Sequence, residues 1–271
     1  MSTETRAEAA GGVGPGERAG LQAAAPMRGC SAGTAVVAIT QRELASLFYS
    51  PIAYVVGFIF LLLTGYFFMT DTLVPGNEAG MRTLLERMAG VLVFALPLLT
   101  MRSVADEFAS GAIETLMTAP VSDASVVLGK FLGSLVFFIA LLATTLVHLA
   151  VITAYGDPVV SVVVSGYAGM VLLGALFAAI GIFASSCTRH QLLAAMIAIA
   201  ILSVLTFVVD YGAQYAGQPW QRAVCAYLNI FGHFSDFAKG IVDSKSVIFF
   251  LSGTAFFLFL ATKVMESRRW R

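Results

Sequence analysis

The chain has 271 residues and a formal net charge of zero, with 16 Lys and Arg balancing 16 Asp and Glu. Hydrophobic residues make up 58% and charged residues only 12%, against about 25% charged in a soluble domain, so the composition excludes a water-soluble enzyme and indicates an integral membrane protein. The balanced charge gives no reason to expect a nucleic acid or an acidic soluble partner.

Residues 1–34 are rich in Ala, Gly, Glu and Arg and contain no apolar signal-peptide core. They read as a disordered cytoplasmic extension, with the membrane domain following at 35–271. The stretch "TAVVAITQRELASLFYSP", residues 34–51, places Val36, Val37, Leu44, Leu47 and Phe48 on one helical arc and Arg42, Glu43 and Ser46 opposite. This pattern predicts a helix lying along the cytoplasmic interface. Ser50 and Pro51 then make an elbow, because proline disfavours helix in the residue before it and suits a helix's first turn.

A charge at the bilayer centre costs about 2.5 to 3.5 kcal/mol, so the gaps between charged residues map the spans. Residues 44–70, 131–156, 158–188 and 190–209 are free of Asp, Glu, Lys and Arg, and each reaches the roughly 20 residues that cross about 30 Å as a helix. The shorter gap at 246–262 spans if Lys245 and Lys263 snorkel. The gap at 88–101 is the weakest and needs residues from both sides, with Arg87 and Arg102 reaching the interfaces. The spans are expected at about 52–70, 86–104, 124–154, 159–186, 190–210 and 246–265, with an outer segment at 211–245. With both termini inside, 11 Lys and Arg fall inside and 5 outside, the asymmetry of a six-span protein with cytoplasmic termini.

The segment "DEFASGAIETLMTAPVS", residues 106–122, is a polar run between the second and third spans. As a helix it puts Ala105, Phe108, Ala109, Ala112 and Leu116 on one arc and Asp106, Glu107, Ser110, Gly111 and Glu114 on the other. The carboxylates are expected on an open wet face with nothing convergent, which supports no acid–base chemistry. Pro120 ends the helix. Ser122 serves as N-cap of the third span, with Asp123 in its first turn and Val121 stapled to Val126. From pattern alone the run is either a connector or a docking segment.

Farther along, His148 lies mid-span without an acidic companion and reads as a hydrogen-bonded buried residue. The run "SSCTRHQ", residues 185–191, is a tight inside turn, and the aromatic-rich outer segment reads as an interfacial or re-entrant cap. Cys30, Cys187 and Cys225 have no paired spacing, so neither a disulfide framework nor a metal site is indicated. HExxH and GxSxG are absent, and Gly129-Lys130 lacks the first glycine of a phosphate-binding loop. The spans hold almost no ionisable groups of the kind an ion-driven transporter uses. Any energy must come from another subunit.

The segments "RELASLFYSPIAYVVGFIFLLLTGYFF", "PLLTMRSVADEFASGAIETLMTAPVSDASVVLGKFLGSL" and "HFSDFAKGIVDSKSVIFFLS" resemble membrane subunits of ABC-2 type transporters, most closely the gliding-motility-associated branch. The resemblance runs from about residue 41 to 271. It implies an all-α integral membrane protein with six transmembrane helices, an N-terminal interfacial helix, and a cytoplasmic coupling helix between spans 2 and 3. By the same resemblance Asp106, Glu107, Gly111, Glu114, Thr115, Leu116 and Pro120 contact a separate ABC ATPase, while Arg42, Glu43, Ser50 and Pro51 form the interfacial elbow. ATP and Mg would be bound by that partner, with no catalytic residue, cofactor or metal in this chain. A second permease copy or a related permease completes the transporter in the bacterial inner membrane, and a periplasmic or membrane accessory protein is a further expected partner. The alternative is a scaffold that passes ATPase motion to a periplasmic partner without moving a solute.

Overall fold

The computed structural model describes residues 32–72, 81–109, 122–155, 159–215 and 217–269, and every regular element among them is helical. Six stretches are long and apolar enough to cross a membrane: Pro51–Asp71, Met81–Phe108, Asp123–Ala154, Val160–Cys187, Gln191–Tyr215 and Ser244–Arg268, spans 1 to 6 below. An entry helix, Ala32–Phe48, precedes them. The expected extension at 1–34 falls almost entirely outside the described residues, as does Cys30. Spans 1, 3 and 5 start, and spans 2, 4 and 6 finish, at one end of the bundle, the entry end.

The elbow forms where proline chemistry places it. Ser50 is extended, with φ −84° and ψ 120°, and Pro51 is the first residue of span 1. The entry helix is rotated from the arc its hydrophobic residues describe. Val37 and Phe48 are exposed, and the helix seats on span 3 through Val36, Ile39, Thr40 and Glu43. Gly129 and Gly133, one helical turn apart on span 3, permit this approach. A Cβ at Gly129 would lie 2.7 Å from Ile39, and one at Gly133 would lie 2.8 Å from the Glu43 Cβ. Small residues four apart let two helices close at the backbone, and Thr40 Oγ1 donates to the Gly129 carbonyl at 3.2 Å.

Span 4 is the centre of the bundle, with 78% of its apolar window buried, and span 2 follows at 67%. The span with the shortest charge gap is therefore a core element rather than a marginal one. Its flanking arginines are tied down, Arg87 to Asp71 at 3.0 Å and Arg102 to Asp106 at 3.0 Å. Glycines on span 4 admit bulky neighbours: a Cβ at Gly174 would overlap the Phe138 ring, and one at Gly181 would overlap the Thr100 hydroxyl.

Span 2 is interrupted at Met101, between the helices Met81–Thr100 and Arg102–Ala109. The Ser185 hydroxyl of span 4 donates to the Met101 carbonyl at 2.9 Å and accepts from the amides of Val104 at 3.1 Å and Ala105 at 2.9 Å. An Ala105 amide in a continuous helix would bond the Met101 carbonyl four residues back. The hydroxyl thus stands inside the ladder, an identifiable cause of helix bending.

At the far end, the helix Ile230–Ala238 caps the bundle. Ile230, Phe234 and Phe237 are buried, and Ser165 on span 4 donates to the Phe237 carbonyl at 2.8 Å. The preceding helix, Pro219–Leu228, buries no residue. His148 keeps its ring against Phe68, centroids 5.0 Å apart, with Nδ1 3.1 Å from the Thr145 carbonyl.

Candidate functional site

The polar residues of the entry end converge on one buried ammonium group. Lys130 is in the third turn of span 3, a helix whose start is set by Ser122, whose side chain accepts from the Ser125 amide at 3.3 Å. The lysine side chain is 2% exposed. Its Nζ lies 3.0 Å from Glu107 Oε1 and 3.3 Å from Glu43 Oε2, and it also donates to the Ser103 carbonyl. An ammonium has three protons to donate, and three acceptors meet them.

Glu107 Oε1 is shared, because Arg42 Nη2 also donates to it at 2.6 Å. Glu107 Oε2 and Ser103 Oγ are buried without a hydrogen-bond partner among the described residues. Arg102 forms a second link: its Nε meets Asp106 Oδ2 at 3.0 Å and its Nη1 donates to Ser50 Oγ at 2.8 Å. The Gln191 amide at the start of span 5 donates to Asp106 Oδ1. All of these groups except Gln191 line a cavity of about 230 Å³ at the entry end, with Leu47 and Leu99 on its apolar side. Beside it, the Arg268 guanidinium of span 6 lies 4.7 Å over the Phe108 ring and donates to the Cys187 carbonyl.

The energetics make this a structural clasp. Taking charges out of water costs several kcal/mol per ion and is offset only by close opposite charges and filled hydrogen bonds, so losing one partner of a buried pair is far more damaging than losing a surface pair. The Arg102–Asp106 pair is more exposed, at 36% and 32% of its side chains, and holds less. Together the bonds lock the helix Arg102–Ala109 to the entry helix, to span 3 and to span 5. No nucleophile or acid–base pair is set up by this arrangement. Among the described residues no group of three His, Cys, Asp or Glu gathers for a metal.

The expectation of an open wet face at Asp106 and Glu107 is corrected. Glu107 is only 9% exposed, because the helix Arg102–Ala109 turns that side toward the entry helix and span 3. Of the elbow residues, Arg42, Glu43 and Ser50 each bond a residue of the cluster, and Pro51 makes the turn. Gly111, Glu114, Thr115, Leu116 and Pro120 lie outside the described residues, as does Val121. Sequence reasoning missed Lys130, Arg102, Ser103 and Gln191. Lys130 and Arg102 were visible as boundaries of apolar windows, Lys130 also as the lysine after Gly129, and Gln191 only as the end of the inside turn at 185–191.

A family model described as ABC-2 family transporter protein matches residues 37–235, well over half of the chain. The match includes the entry helix from Val37 onward, the whole ion cluster apart from Arg268, and the first part of the far cap. No curated protein matches the chain.

Proposed function

The chain belongs to the ABC-2 family of transporter proteins, and from that premise we propose that it is the permease subunit of an ATP-driven transporter whose ATPase is a separate chain. Two permeases, as a homodimer or with a related permease, form the membrane unit in the bacterial inner membrane, both termini facing the cytoplasm. Within the family, the three segments that carry the resemblance favour the gliding-motility-associated branch. The ATPase docks on the segment that starts at Asp106 and ends at Pro120, with Gly111, Glu114, Thr115 and Leu116 meeting it.

The observation that carries this reading is the clasp around Lys130. A motor that pulls on residues 110–120 pulls on the helix Arg102–Ala109, and through Glu107 that pull reaches the entry helix and span 3 together. A mere connector needs no buried three-way ion cluster at its root. Glu107 belongs to this anchorage, so the docking surface is assigned to the side chains beyond it.

The test is purification of the tagged chain from its native membranes, scored for a co-purifying ABC ATPase and for ATP hydrolysis at equal amounts of inserted permease. Glu114→Ala and Gly111→Leu are expected to release the ATPase, since truncating a charged group in a desolvated interface costs about 2 to 5 kcal/mol. Full ATPase recovery with both variants would overturn the docking assignment. The chain alone is expected to bind no ATP, for want of a phosphate-cradling loop.

A further inference from the structure

Span 5 leads into an aromatic hairpin that the rest of the described chain leaves uncovered. Its final helix, Val209–Tyr215, is followed by the helix Pro219–Leu228, and the two pack side by side, with a Cβ at Gly212 reaching within 2.8 Å of the Cys225 sulfur. Trp220, Val224 and Tyr227 share an arc of about 60° at about 100° per residue, about 100° or more from Cys225. The arc is turned away from the contact with span 5. Trp220 and Tyr227 are 65% and 69% exposed, and the helix buries no residue.

The depth of this hairpin follows from helix geometry. Residues 190–209 hold no Asp, Glu, Lys or Arg, and at about 1.5 Å per residue they cover about 30 Å, the thickness of the hydrocarbon core. Asp210 therefore marks the far edge of the core. It is held there by Gln214 at 2.9 Å and Asn229 at 2.8 Å. The helix Pro219–Leu228, packed on Val209–Tyr215, lies at the same level. Along span 5 the exposed stripe changes character at that level, from Leu192, Met196, Val204 and Val208 to Tyr211 and Tyr215, whose rings lie 4.5 Å apart. Trp220 and Tyr227 carry the aromatic band across to the second helix.

Asn229 divides the hairpin from the cap. Its Oδ1 accepts from the Gly232 amide at 2.9 Å and starts the buried cap helix, while its Nδ2 reaches Asp210. We propose that the helix Pro219–Leu228 is a lipid anchor, with Trp220, Val224 and Tyr227 set among the phospholipid headgroups of the far leaflet and holding the end of span 5 at that depth. A ring with an apolar body and a polar tip suits this layer. In hydrocarbon the indole N–H and phenol O–H would lack partners, and in water the rings would stay hydrated. Aromatic side chains present only about 150 to 250 Å² each, which leaves this arc short of the roughly 800 Å² per partner of a standard protein interface. The anchored section begins where the π-helical turn Val204–Val208 ends, so the bilayer grips span 5 just beyond its irregular turn. Contact with lipid is independent of any ATPase.

The experiment uses the purified full chain with Trp270→Phe, which leaves Trp220 as the single tryptophan. The protein is placed in nanodiscs of phosphatidylcholine brominated either near the headgroup end or near the methyl end of its acyl chains. Trp220 emission is expected to be blue-shifted from that of tryptophan in water and to lose its larger part to the shallow bromines, with little loss to the deep ones or to aqueous iodide. A second measurement needs no tryptophan. In a cysteine-free background, spin labels at Val224→Cys and Ala226→Cys, both exposed positions about 200° apart on the helix, report collision with oxygen and with a water-soluble nickel chelate. The Val224 label should favour oxygen and the Ala226 label the chelate.

Quenching by iodide alone would put the helix in water and overturn the proposal. Screening from iodide and from both bromolipids would give the arc to a protein partner or a second copy of the chain, and would overturn it equally. Stronger quenching by the deep bromines would sink the helix into the hydrocarbon and refute the headgroup depth. Equal oxygen-to-chelate ratios at Val224 and Ala226 would remove the sidedness on which the anchor rests.

Discussion

Lys130 and Glu107, 23 residues apart in sequence, place Nζ and Oε1 3.0 Å apart with the lysine side chain 2% exposed. The pair makes the root of the polar segment part of the bundle's interior. Removing Lys130 leaves Glu107 and Glu43 facing each other, with Arg42 as the remaining cation bonded to Glu107 among the described residues.

Lys130→Met is expected to destabilise the chain by about 3 to 5 kcal/mol, the cost of stripping one partner from a buried pair. Glu107→Gln should cost less, since the amide still accepts hydrogen bonds. The double variant Lys130→Met with Glu107→Leu should be less damaging than the sum of its parts, read as a coupling energy in denaturant titrations of detergent-solubilised protein. Additive effects would show that the two residues act independently.

Ser185→Ala removes the hydroxyl that bonds Met101, Val104 and Ala105. Leaving buried backbone groups unsatisfied costs about 1 to 3 kcal/mol. Hydrogen exchange at the Val104 and Ala105 amides should accelerate, while amides in the middle of span 4 stay protected. Unchanged exchange at those two amides would contradict the role given to Ser185.

Gly133→Val should unseat the entry helix, because even its Cβ would crowd the Glu43 Cβ. Overpacking of this kind costs about 1 to 3 kcal/mol, and here it also pulls Glu43 from Lys130. A cysteine pair at Ile39 and Leu128, tested for cross-linking before and after the change, reads the displacement. Equal cross-linking would show that the groove accommodates the larger residue.

Cys187 lies at the entry end, where span 4 finishes, and Cys225 sits on the far helix Pro219–Leu228. With Cys30 removed, a membrane-impermeant thiol reagent on intact spheroplasts is expected to reach a Gln218→Cys variant and to spare Cys187. Labelling of Cys187 without permeabilisation would reverse the assigned orientation.

The parts of this architecture that follow local rules were readable in advance. Charge-free windows gave the number of spans, a proline after Ser50 gave the elbow, and Ser122 gave the start of span 3. The clasp was not readable, because the same logic that finds spans treats every charged residue as an edge. Lys130 bounded the charge-free window at 131–156 and was given no role although it fell inside the span expected at 124–154, while its partners sit 23 and 87 positions away. Helical periodicity likewise assigned Glu107 to a wet face, since a single helix's pattern cannot register that a second helix brings an arginine to cover it. The rotation of the entry helix has the same origin: two glycines on span 3, and not the helix's own apolar arc, decide which side faces in.

The sequence separation inside the clasp also orders events during synthesis. Glu43 leaves the ribosome 87 residues ahead of Lys130, which at about 5 to 20 residues per second is a wait of roughly 4 to 17 seconds. Until span 3 is made, the entry helix lacks the groove at Gly129 and Gly133 and Glu43 lacks the Lys130 ammonium, leaving the Arg42–Glu107 pair as its tie to span 2. The arrival of Lys130 then brings span 3 to both carboxylates, Glu43 and Glu107, at once. A nascent chain stalled before residue 130 should therefore expose the entry helix to protease, and one stalled well beyond it should not, making this lysine a checkpoint of assembly as well as a support of the finished protein.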